Sequence, residues 1–218
     1  MLPTEARWLR EALQGIDARD LSPLLNLGSS TARFREVDQP YIDADIFAPL
    51  RARGVAIVHC DLKQADGVDI ACDLLAEEMP AGLAAISPRA VFCTNMLEHV
   101  TSRPAVARRL AELVPSGGLL FLTVPRSFPY HPDPIDNRYR PDIAELAGLF
   151  PGWAQVTGAV VADESFADVL RREPRLLLRH IARSVIPWPR PGNWLSALHR
   201  WAWLFKPYRV TCLVLRKP

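Results

Sequence analysis

Three polar side chains follow directly where an apolar run gives out. Residues 91–100 read VFCTNMLEHV: Val91, Phe92 and Cys93 have the character of a buried strand, and Asn95, Glu98 and His99 come next. An amide, a carboxyl and an imidazole at one strand mouth can hydrogen-bond a ligand and accept a proton. Each also has an ordinary role. Asn95 can tie down a loop, Glu98 can complement a helix N-terminus, and His99 can pack against a sheet. Their co-occurrence favours a site.

Other apolar runs end in a similar way. Leu24–Leu27 leads into Gly28-Ser29-Ser30, small residues that let a ligand approach the backbone, or simply a turn. Val55–Val58 continues through His59 and Cys60 to Asp61, whose carboxylate suits a ribose-like diol or is merely a polar strand end. Val68–Cys72 ends at Asp73, which either accepts from an exocyclic amine or caps a helix before Leu74-Leu75-Ala76. Leu119–Val124 stops at Pro125, and residues 130–140, YHPDPIDNRYR, follow. There His131 can take a proton from an acceptor hydroxyl, with Asp136 close in sequence. A proline-stiffened series of surface turns is the alternative. Arg138 and Arg140 either fork an anion or are solvated charges.

The elements that must position these residues are legible from the pattern. Short continuous apolar runs alternate with helical stretches, as in strands buried on both faces of a parallel sheet. A helical pattern from about Ala44 to Arg53 ends at Gly54, and another spans Arg103–Val114 before Pro115-Ser116-Gly117-Gly118. Residues 155–161 and 210–215 read as further strands. The expected architecture is an α/β, doubly wound, Rossmann-like sheet of about seven strands, mostly parallel with one antiparallel strand, helices on both faces. In such sheets ligands bind beyond the carboxyl ends of the strands, at the switch in strand order. That is where the polar residues fall.

The strand ends, in this order, resemble those of the class I S-adenosylmethionine-dependent methyltransferases, and the small type 11 group in particular. LLNLGSS resembles their first glycine motif, VHCDLK the acidic end of the second strand, VDIACDL the Asp-bearing third, VFCTNMLEHV the fourth-strand motif, and VPSGGLLFLTVP the fifth strand with its glycine pair. The resemblance covers roughly residues 22–150. It implies S-adenosylmethionine as cofactor, held by Asn26, Gly28, Ser29, Ser30, Asp61, Leu62, Asp73, Leu74, Asn95, Met96 and His99. It implies an acceptor side served by His131, His99 and Asp136, and O-methylation of a small molecule, a sugar or glycan, or a lipid-linked acceptor. A sulfonium is already a strong electrophile, so in-line positioning does most of the work. The chain departs from the family in having Gly-Ser-Ser in the glycine loop and Asn26 where an acid is common. The interval from Gly28 to Asp61 also exceeds the roughly 20 residues usual between such a loop and its acidic partner, so 31–43 is expected to be an inserted loop closing over the cofactor. These departures motivate the alternative, a non-catalytic protein of the same fold acting as a binding or scaffolding partner in a biosynthetic pathway.

Composition excludes other classes. The 218 residues are 49% hydrophobic and 23% charged, with formal net charge +2 and no continuous basic stripe, so no nucleic-acid partner is expected. No (Asp/Asn)-Pro-Pro-aromatic tetrad follows the fourth strand, and no full G-x-G-x-x-G for a nicotinamide cofactor is present. Cys60, Cys72, Cys93 and Cys212 lie in apolar runs without CxxC spacing, which predicts buried thiols and no metal site. The N-terminus lacks a signal-peptide pattern, and no apolar run is long enough to span a membrane, so a cytoplasmic location is expected.

Charge is unevenly spread. Residues 150–218 hold 11 Lys/Arg against 4 Asp/Glu, out of 26 and 24 in the whole chain, and five of its six tryptophans. Within one domain over 1–218, residues 163–207 read as a basic, Trp-rich helical insertion before the last strand, broken by the stiff PWPRPG at 187–192. In 175–209, Leu195, Leu198, Trp201 and Phe205 recur at helical spacing. This is either a helix packed on the domain or a peripheral membrane contact.

Overall fold

The structure is a computed structural model that describes residues 1–76, 78, 81–131, 135–185 and 191–218. Most of the PWPRPG break and residues 132–134 of the HPDPID stretch lie outside the described residues. In chain order the elements are α1 (Pro3–Gln14), α2 (Ala18–Leu21), β1 (Leu24–Leu27), α3 (Ala48–Ala52), β2 (Ile57–Asp61), β3 (Ile70–Ala71), α4 (Ala81–Ala84), β4 (Ala90–Thr94), α5 (Arg103–Leu113), β5 (Leu119–Ser127), α6 (Ile143–Ala147), β6 (Ala154–Ser165), α7 (Phe166–Arg172), α8 (Pro174–Val185), α9 (Pro191–Trp201) and β7 (Pro207–Arg216).

One seven-stranded sheet runs in the order β3-β2-β1-β4-β5-β7-β6. The first five of these are parallel, and β7 is antiparallel to both β5 and β6. The period of two in a strand sends alternate side chains to opposite faces. Leu24, Phe92, Phe121 and Val214 therefore enter one core with Leu9, Leu13, Ile46 and Leu50. Leu25, Val91, Cys93, Leu120 and Leu213 enter a second core with Val106, Leu110 and Leu146. Burial on both faces is why these strands read as unbroken apolar runs.

The chain works outward from β1 to β3, then returns to place β4 on the other side of β1. This reversal is the switch point, and the register sets Leu27 beside both Cys60 and Cys93. Gly28, Asp61 and Asn95 consequently leave the sheet along one edge.

Two expectations are corrected. Residues 31–43 are not a loose inserted loop: Phe34–Asp38 and Asp43–Phe47 form π-helical turns running into α3. Their Phe34, Tyr41, Ile42, Ile46 and Phe47 pack on the sheet, so apolar burial orders the segment. β5 does not stop at Pro125 but continues to Ser127 against β7, with a register shift between Pro125 and Ser127. A bulge tolerates the missing N–H of proline. The overshoot carries the following chain across the mouth of β4.

Candidate functional site

Gly28 has φ +67°, and a Cβ there would meet the Met96 side chain at 3.4 Å, so the turns after β1 and β4 touch. Ser29 N–H donates to the Cys60 carbonyl at 3.0 Å, and Ser30 N–H to Oδ2 of Asp61 at 2.8 Å. Asp61 thus clamps the glycine loop to β2, and among the described residues its Oδ1 has only the Lys63 N–H, at 3.3 Å. Leu62 beside it is exposed. Oδ1 of Asp73 accepts from Leu75 N–H at 2.8 Å across a turn, with no helix starting at Leu74, and the Leu74 side chain packs on the core. Asn26 lies inside β1. Its amide donates to Nδ1 of His59 at 3.1 Å, across the β1–β2 pair.

Arg35 was not signalled by any motif. Its buried guanidinium donates to the carbonyls of Ser29 (2.9 Å), Ser30 (2.8 Å) and Gly67 (2.8 Å), fixing the loop from behind. Burial pulls its pKa below the usual arginine value. Only the folding of 34–38 brings this side chain to the loop, which is why spacing did not reveal it.

At the mouth of β4, Asn95 takes φ +50°, a left-handed conformation uncommon outside glycine. Ser30 and Arg138 are also left-handed, at φ +53° and +60°. Such residues cluster where surrounding structure holds a functional shape. Asn95 N–H donates to the Thr123 carbonyl at 2.9 Å, and its amide to Oε1 of Glu5 at 2.7 Å.

Glu98 lies in a 3₁₀ turn, Leu97–His99, and is 0% exposed. Neither carboxylate oxygen has a hydrogen-bond partner among the described residues, and burial pushes the group up to about 8. His99 Nδ1 lies 2.5 Å from the Ile135 carbonyl, and His99 Nε2 lies 3.7 Å from Oε1 of Glu98. His131 follows from the loop beyond β5. Its ring makes T-shaped contacts with His99 and Phe128 at centroid distances of 5.1 and 4.9 Å, and its Nδ1 lies 3.1 Å from the Pro129 carbonyl. Burial lowers the His131 pKa.

Asn137 delivers that loop. Its N–H donates to the Glu98 carbonyl, and its amide donates to the Leu97 and Val100 carbonyls at 2.9 Å each. Asp136 holds the loop together, accepting from the N–H groups of His131 and Arg138 and from both Nη atoms of Arg140. Burial alone would raise its carboxyl, but those donors, Arg140 foremost, hold it at about 2. Asp136 is therefore an anchor, with its oxygens already occupied. Arg140 is committed to it rather than to an incoming anion, and Arg138 lies over the Tyr130 ring at 5.2 Å.

The four free thiols fall where the sequence placed them, in or beside strands; Sγ of Cys60 and Cys72 are 2.9 Å apart.

The fold is that of the class I S-adenosylmethionine-dependent methyltransferases. Coclaurine N-methyltransferase, solved with N-methylheliamine and S-adenosylhomocysteine, superposes with TM-score 0.59 at 13% identity, covering 97% of this chain and 71% of that one. The MccD protein superposes at TM-score 0.58 and 14% identity over 100% of both chains. The [4+2]-cyclase SpnF does so at 0.53 and 15%, over 97% and 80%. No protein-family model and no curated protein matches the sequence.

Proposed function

We propose that this chain is an S-adenosylmethionine-dependent methyltransferase acting on the oxygen of a small-molecule, sugar or lipid-linked acceptor. One observation carries the reading. Asp73, Asp61, the Gly28–Ser30 turn and Asn95–Met96 leave adjacent strands along a single sheet edge at the switch point. In this reading Asp61 accepts from the ribose diol with the lone pairs that Ser30 leaves open, since a carboxylate offers about four. Asp73 reaches the adenine edge, and the Gly28 turn and Met96 line the methionine end. His99 and His131 face the acceptor, and Asp136, with Asn137, positions them.

Calorimetric titration with S-adenosylmethionine and S-adenosylhomocysteine tests the assignment. Both bind, and Asp61→Ala weakens each at least about tenfold, the loss of one charge-assisted bond. Absence of binding to both by folded protein leaves the second reading, a binding or scaffolding protein. That reading has its own support: the loop N–H groups of Ser29 and Ser30 are already engaged internally, and the same fold occurs in a protein described as a cyclase.

A peripheral membrane contact is the finer part of the proposal. Between β6 and β7, α8 leaves Leu178, Ile181 and Val185 exposed along one face, with exposed Arg175, Arg179 and Arg183 beside them. An apolar stripe bordered by arginines suits an anionic lipid surface. No helix among the described residues is long and apolar enough to cross a membrane.

A further inference from the structure

Glu98, His99 and His131 each present a possible ligand atom to one small volume. A backbone carbonyl can only accept, so the contacts to Ile135 and Pro129 place the ring protons of His99 and His131 on Nδ1. Asp136, 3.4 Å from Nδ1 of His131, acts in the same sense. Nε2 of each ring is then an acceptor. Glu98 adds a wholly buried carboxyl whose two oxygens are unpartnered among the described residues. At 3.7 Å, Oε1 of Glu98 and Nε2 of His99 are too far apart to share a hydrogen bond.

One ligand atom from each of the three side chains lies within 4.8 Å of those of the other two. A wholly buried carboxyl without a partner among the described residues is unfavourable, and a cation that displaces its proton and draws in the two imidazoles relieves this. Two imidazoles and one carboxylate match the donor set of three-ligand zinc sites and of non-haem iron(II) sites. Ligands at about 2.1 Å from such an ion are roughly 3.4 Å apart, so a small inward rotation completes the cage. The outer groups also fit, because metal-bound histidines donate their other N–H to a carbonyl or carboxylate. Asn137 ties the element bearing His131 to the turn bearing Glu98 and His99, which makes the grouping a built one.

We propose that Glu98, His99 and His131 bind a divalent transition-metal ion of the zinc type, with at least one coordination position open to the acceptor. The site is independent of the cofactor assignment; only its role rests on the methyl-transfer reading. There the acceptor hydroxyl binds the ion and its proton passes to water. The alkoxide lone pair then attacks the methyl carbon, a C–O bond forms as the C–S bond breaks, and the C–S electrons leave on sulfur as a neutral thioether. The two histidines serve as ligands rather than as bases.

Chelator-treated full-length protein is titrated with Co(II), read by visible absorption, with Zn(II) and Mg(II) as competitors. One equivalent of Co(II) binds with ligand-field bands, Zn(II) displaces it and Mg(II) does not. Glu98→Gln and His131→Ala each weaken binding at least about tenfold. His131 is on a half-buried loop, so His131→Ala keeps its thermal midpoint and separates ligation from folding. No Co(II) binding by folded wild type, equal affinity in both variants, or equal competition by Mg(II) overturns the proposal. S-adenosylhomocysteine titrated into the same sample separates the two readings: Co(II) bound without it removes the proposed role and keeps the site.

Discussion

The amide of Asn95 donates to Oε1 of Glu5 at 2.7 Å, joining the mouth of β4 to the first turn of α1. Glu5 is wholly buried, and its other oxygen accepts from the Leu2 N–H at 2.9 Å. A strand-end residue with the spacing of a ligand contact is thereby also a structural tie. Asn95→Ala strips a buried carboxylate of a partner and puts a Cβ-bearing residue of lower tolerance at φ +50°. We expect a loss of about 2–4 kcal/mol in urea denaturation. Adding Glu5→Ala costs less than the sum of the single changes, because both remove the same bond. Strict additivity would refute the coupling.

Gly67 is a second point where geometry makes a firm demand. It has φ +74°, and a Cβ would lie 2.8 Å from the Ala32 nitrogen and 2.5 Å from its Cβ. Its carbonyl also holds Arg35. Gly67→Ala is expected to cost more than about 3 kcal/mol, combining left-handed strain with overpacking against backbone. Gly15→Ala, with nothing within 4 Å of the added atom, is the control and changes stability little. Similar midpoints for the two variants would contradict this account.

Arg35→Lys keeps the charge and removes the fork that serves three carbonyls. A lysine ammonium cannot reproduce the planar donor geometry. We expect S-adenosylhomocysteine affinity to fall at least about tenfold through loosening of the Gly28–Ser30 turn, measured by calorimetry. Unchanged affinity would show that Arg35 matters only for packing.

The pH dependence of stability should carry the signature of His59. Burial, then Arg35, push its pKa down to about 4, with Asp69 and Asp43 opposing and Arg51 reinforcing. Asn26 donates to its Nδ1, and Phe47 meets the ring edge at 5.0 Å, so the neutral ring is the one that fits. An unfolded histidine titrates near 6.5. Below that pH the unfolded chain takes up a proton that the folded one refuses until about 4. The contribution is thus complete above 6.5 and is lost progressively as pH falls toward 4. Thermal midpoints of His59→Gln should fall less steeply over that window than those of the wild type.

For the helical segment between β6 and β7, the structure changes which residues to alter. Trp201, which shares a helical spacing with Leu195 and Leu198, turns inward: its indole N–H donates to Oγ of Ser184, and its ring lies against His180 at 4.9 Å. Trp203 packs toward Tyr208 at 6.3 Å. Leu178 and Val185, 70% and 73% exposed, are the outward positions on α8. Leu178→Asp with Val185→Asp should reduce co-sedimentation with phosphatidylglycerol vesicles several-fold and leave stability near wild type. Trp201→Ala should instead lower stability. Vesicle binding indifferent to the aspartates would assign these helices to another surface.

Much of the fold is legible in the chain because its physics is local. Strands buried on both faces must be continuous apolar runs, so β1, β2, β4 and β5 stand out. Glycines after Ala52 and Pro115 mark where helices give way to strands. The switch-point edge follows from strand order, so Gly28, Asp61, Asp73 and Asn95 were expected at one rim. The stretch at 31–43 misled because a π-helical turn has no simple period, and its apolar residues reach the sheet only through tertiary packing.

The side-chain partnerships are another matter. Which residue types stand at the strand ends is written in the chain: VFCTNMLEHV presents an amide, a carboxyl and an imidazole where a buried strand emerges. What each of them faces is set by long-range packing. Asn95 meets Glu5, Asp136 is spent on Arg140, and His131 is brought back to Glu98 and His99 by the hydrogen bonds of Asn137. Periodicity reports the face a residue occupies, since that depends on its neighbours in sequence. Hydrogen-bond partners depend on which distant segments share a volume, and no spacing rule carries that information.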